Sequence, residues 1–121
     1  MQESTWASIM ATRSRAGNSL TLPYVILHSV VLVIIAFESA ALDASSVQLA
    51  LAASTVIGTL WLVINLDSVF ADFDALTKDM SESVAASNLG RNWAKMPIGA
   101  MRVMGIVFSA VLVIVELLAI Y

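Results

Sequence analysis

Glu38 and Glu116 stand inside otherwise apolar runs, "VLVIIAFESAAL" and "AVLVIVELLAIY". A charged group at the centre of a membrane span costs roughly 2.5–3.5 kcal/mol on insertion scales, so an acid at that position requires an explanation. Two arrangements lower the cost. Each glutamate can reach from the end of its span towards headgroups and water. Alternatively, both face inward at one level, where they share a proton, bind a cation or meet an arginine from another chain. No Lys or Arg of this chain is expected at that depth.

His28 is the single histidine and lies beside Ser29 in the first apolar run. The simplest expectation is a neutral imidazole hydrogen-bonded to a neighbouring helix. The sharper alternatives are a proton relay or a haem ligand. Haem of the b type needs a second ligand that this chain supplies poorly, so no cofactor is expected. Arg102 lies five residues past Pro97. Its long stem can carry the guanidinium to lipid phosphates, and an ion pair with Asp67 is the alternative. Asp67, Asp72 and Asp74 are oxygen donors of the kind Mg²⁺ prefers. They complete no metal motif, and a solvated acidic face is the plainer expectation.

Composition says which elements must hold these groups. Of 121 residues, 60% are hydrophobic and 12% charged, against about 25% charged in soluble domains. The apolar residues come in runs long enough to cross a bilayer. Absence of cysteine excludes disulfides and thiolate metal centres. The net charge of −3, without a basic run, argues against nucleic acid.

The expected fold is all-α: a polytopic membrane protein with three transmembrane helices in a single integral membrane domain, 1–121. Residues 1–19 read as a tail, either loosely ordered or with a short surface helix around Trp6, Ile9 and Met10. The spans are expected over about 22–42, 47–66 and 97–121, with Pro23 and Pro97 in the opening turns of the first and third. "DASS" makes the first turn, with Ser45 or Ser46 as N-cap. Residues 67–88 are expected to form an amphipathic helix, continuous with the second span or restarted after it, with Asn88 and Gly90 as stop signals.

Val69, Phe70, Phe73, Leu76 and Met80 recur at intervals of three and four residues and draw one apolar stripe on that helix. An acidic helix is repelled by an anionic leaflet, so the stripe is a candidate surface for a protein neighbour: a second copy, another subunit or this chain's own loop. Ala50, Ser54 and Gly58 in the second span, with Gly105 and Ser109 in the third, are candidate close-packing positions. Arg13, Arg15, Lys78, Arg91 and Lys95 fall in the tail and the second loop. The positive-inside rule then puts the N-terminus in the cytoplasm and the C-terminus outside a prokaryotic-type cytoplasmic membrane.

No Walker A loop, nucleophile elbow, HExxH or potassium-filter motif occurs. The leading functional expectation is a non-catalytic subunit that packs within and stabilises a larger membrane complex, its partners being the bilayer and other subunits or copies of itself. A small homo-oligomeric channel or proton- or cation-linked transporter using the intramembrane glutamates is the alternative.

Overall fold

The computed structural model describes residues 1–37 and 40–121. The order of elements is α1 (Glu3–Ala36), a 3₁₀ turn (Ala40–Asp43), α2 (Ser45–Lys78), α3 (Glu82–Ala86), α4 (Asn88–Ala94) and α5 (Ile98–Ile120). Helices α1, α2 and α5 are each long and apolar enough to cross a membrane. Glu38 lies outside the described residues.

At 34 residues each, α1 and α2 are about 51 Å long, well beyond a hydrocarbon core of about 30 Å. They run antiparallel, and α5 packs chiefly on α2. The polarity follows the solvent. Trp61, Ile57, Phe108 and Leu118 point outward, while His28, Thr55, Thr59, Ser109 and Glu116 are buried.

The N-terminal residues are not a separate tail. They form the first turns of α1, so Pro23 lies within the helix rather than at its opening. A proline there loses one backbone bond and costs about 3 kcal/mol in an ordinary helix. The helix persists because its N-terminal half packs on the far end of α2. Trp6 is buried, with its indole N–H donating to the Leu76 carbonyl at 2.8 Å. Arg13 pairs with Asp72 at 2.8 Å, and Gly17 brings the backbone close to the Val69 side chain. The helix also ends earlier than expected, at Ala36 instead of residue 42.

A single 67–88 helix is likewise absent. Helix α2 continues through Asp67 to Lys78, and the chain turns at Asp79. Ser81 then caps α3 through the Val84 N–H, and Ser87 caps α4 through the Gly90 N–H. Asn88 and Gly90 thus open a helix instead of closing one. Gly90 is required there, because a Cβ would fall 2.0 Å from the Val84 carbonyl oxygen. Ala44 occupies the N-cap position of α2 without a side-chain bond, leaving Ser45 as its first helical residue. Pro97, expected in the opening turn of the third span, stands just before it, at the N-cap of α5.

The apolar stripe on the end of α2 is covered by this chain. Val69 and Leu76 are buried, and Phe73 meets Phe70 and Trp93 edge-on at 6.4 and 5.4 Å between ring centroids. Met80 lies past the end of the helix, half-buried. Small-residue packing is narrower than the spacing suggested. Ala50 and Ser54 are exposed, whereas a Cβ on Gly58 would stand 2.9 Å from a Leu27 methyl. The buried line in this part of α2 is Ala52, Thr55 and Thr59, with the two threonines one position past the expected Ser54 and Gly58.

Candidate functional site

Helix α5 carries Arg102, Ser109 and Glu116 at intervals of seven residues, two turns apart and so on one side of the helix. Each meets a polar partner on another helix. Tyr24 and His28 are one turn apart on α1, and Thr55 and Thr59 one turn apart on α2. The three helices therefore build a column of polar contacts inside an apolar exterior.

Its centre is Glu116, which has no solvent exposure, and His28, which has 4%. The imidazole Nδ1 lies 3.0 and 2.9 Å from the two carboxylate oxygens. On the other side of the ring, Nε2 lies 3.3 Å from the Thr59 hydroxyl oxygen. That hydroxyl donates its one proton to the Thr55 carbonyl at 2.6 Å, and the Thr55 hydroxyl donates to the Leu51 carbonyl at 2.9 Å. With its proton committed, Thr59 is an acceptor towards the ring, so Nε2 carries a hydrogen. A proton held in the contact between Nδ1 and the carboxylate gives the pair no net charge, whichever of the two carries it. Neutrality is what a low-dielectric site demands, because an uncompensated charge there is far more costly than a dipole.

The Tyr24 ring packs on the His28 ring with centroids 4.5 Å apart, and its hydroxyl shares a 3.0 Å hydrogen bond with Ser109. Towards the other end, Gln48 donates to the Ile120 carbonyl at 3.2 Å. Among the described residues, no buried side-chain nitrogen or oxygen lacks a hydrogen-bond partner.

Glu116 therefore does not reach for headgroups; it turns inward to His28, at the same depth. His28 is about two turns from the end of its helix and Glu116 about one. His28 is bound to helices on both sides, to the acid Glu116 on α5 and to Thr59 on α2. A glutamate–glutamate site would involve Glu38, which lies outside the described residues.

Arg102 takes the ion-pair alternative. Its Nε and Nη2 donate to the two oxygens of Asp67 at 2.6 and 2.8 Å, the side-on bidentate geometry typical of strong guanidinium–carboxylate pairs. The remaining acids of the trio are also matched, Asp72 by Arg13 and Asp74 by Lys78. They do not converge, and among the described residues no group of three His, Cys, Asp or Glu could hold a metal ion. The acidic face is thus a row of separate ion pairs.

A cavity of about 300 Å³ lies among α1, α2 and α5, between the Asp67–Arg102 pair and the Tyr24–Ser109 bond. Sequence spacing offered one unused signal for this arrangement, the seven-residue rhythm of Arg102, Ser109 and Glu116. No protein-family model, curated protein or solved structure matches the chain.

Proposed function

We propose that the chain is a proton-handling membrane protein, a small channel or proton-linked carrier in which His28 and Glu116 hold the proton in transit. The observation that carries this reading is the fully buried carboxylate with both oxygens on Nδ1 of the single histidine. An ionisable pair inside a span is expensive to keep and is characteristic of ion and proton pathways. The pair has the parts of a relay. One proton moves between two acceptors within hydrogen-bond distance, and Thr59 offers a further oxygen on the opposite side of the ring. Tyr24 and Ser109 continue the polar column in one direction and Gln48 in the other.

Purified protein in liposomes carrying a trapped pH dye tests the reading. A proton flux driven by a pH step is expected from wild-type protein and should fall to the empty-vesicle rate in Glu116→Gln and His28→Gln. Circular dichroism and gel filtration confirm that the variants remain folded. Equal flux in wild type and variants, or none in either, overturns the proposal.

A second reading keeps the leading expectation from sequence, a non-catalytic subunit stabilising a larger membrane complex. It is favoured by the way the pair ties α1 to α5, which both pack mainly on α2. In that reading the pair is a clamp, and Glu116→Gln leaves the parent complex working while weakening the subunit's retention in it. Native mass spectrometry after mild extraction separates the two, since a carrier comes out alone or as copies and a subunit brings other chains. For either reading we assign the N-terminus and the 79–95 connection to the cytoplasmic side and the C-terminus to the outside. Support comes from the five basic residues gathered at that end and the absence of Lys and Arg from the 40–46 turn and the C-terminus.

A further inference from the structure

The cavity among α1, α2 and α5 has walls of one kind and an end of another. Its sides are apolar, with Leu20, Leu62, Val63 and Leu66 among them, and the Asp67–Arg102 pair stands at one end. Tyr24 and Ser109 at the other end already satisfy each other. Water needs two to four polar partners to stay in such a space, and these walls supply few. The volume of about 300 Å³ holds about ten groups of water size, at about 30 Å³ each. That accommodates a length of hydrocarbon chain but not a whole lipid.

The charged end is only partly used. Arg102 spends two of its five N–H groups on Asp67 and is 37% exposed in its side chain. Three donors remain for an anion. Asp67, 31% exposed, keeps lone pairs for a cation. The pair has no net charge, so a headgroup carrying both a phosphate and an ammonium is its electrostatic match. A purely anionic headgroup would add one unbalanced charge at a partly buried site.

We propose that this cavity is a binding site for a zwitterionic membrane phospholipid: one acyl chain between α1 and α5, its phosphate on Arg102 and its ammonium on Asp67. The bilayer is the natural source, because the rest of the lipid remains outside the groove. The site stands whether or not the His28–Glu116 pair carries protons.

Gly105 provides the test. It lines the cavity, and a Cβ built on it meets nothing within 4 Å, so a leucine there extends into empty space. Delipidated protein is mixed with equal amounts of dioleoyl-phosphatidylethanolamine, dioleoyl-phosphatidylglycerol and dioleoylglycerol, and retained lipid is read by native mass spectrometry. A single phosphatidylethanolamine adduct is expected, about tenfold above either competitor, a difference that corresponds to one hydrogen-bonded charge contact. Gly105→Leu should remove it. Gly105→Ala, which adds one methyl group and keeps the fold secure, should weaken it in the same direction. Equal retention of the three lipids, a graded series of adducts without a preferred first one, or undiminished binding in both Gly105 variants overturns the proposal.

Discussion

At the scale of single residues, the buried pair makes an asymmetric prediction. Removing one member of a buried, hydrogen-bonded pair typically costs about 3–5 kcal/mol, because the survivor keeps its desolvation cost without its partner. Replacing both with apolar residues of similar volume is often near neutral. Glu116→Leu should therefore lower the unfolding free energy in detergent by that amount, and His28→Leu in the same protein should recover most of it. A simple sum of two losses would show that the pair is not coupled. Thr59→Val leaves the ring Nε2–H without its acceptor and should cost about 1–3 kcal/mol in the same titration. Both partners of the central contact were visible in the sequence as isolated polar residues among apolar ones. Their meeting was not visible, because hydropathy gives the length of each apolar run and not which face of one helix meets which face of another.

At the scale of elements, α1 shows tertiary packing overriding local character. "MQESTWASIMATRSRAGNS" reads as a polar tail, yet Trp6, Met10, Arg13 and Gly17 fall at spacings of four, three and four residues. Three of these four meet α2 directly. The helical stripe was present in the sequence, hidden because only two of its members, Trp6 and Met10, are large and apolar. Trp6→Phe keeps the ring and removes the donor to Leu76, and should cost about 1 kcal/mol and speed proteolysis near residues 1–15. Pro23→Ala restores a backbone N–H in mid-helix and should raise the thermal midpoint, a gain of up to about 3 kcal/mol. Gly90→Ala forces a clash with the Val84 carbonyl and should unravel α3 and α4 without dissolving the three long helices, seen as a small loss of helicity by circular dichroism. The stripe from Val69 to Leu76 was legible as a surface in need of cover. What covers it, α1 and Trp93 of the same chain, depended on a helix that the tail's composition concealed. Charges placed at Phe70 or Phe73 are therefore expected to disturb this chain's own fold.

At the scale of the whole molecule, the chain lacks cysteine, so single introduced thiols report orientation against no background. Asn92→Cys should be labelled by an impermeant maleimide only after cells are opened, and Tyr121→Cys in intact cells. The reverse result would invert the assignment of sides. The three-helix class and membrane character were legible from hydropathy alone, since 20-residue apolar runs leave few other folds. How far two of the helices project past the third was not legible, because that length is set by ion pairs and one indole bond beyond the apolar runs. This projection has a mechanical consequence. Trp6 and His28 ride on one rod, 22 residues or about 33 Å apart, and the one interrupted rung between them is at Pro23. A displacement of the far end of α1 would be carried along the same rod to the imidazole, and Pro23, which has no N–H, is the point where the rod has one backbone bond fewer.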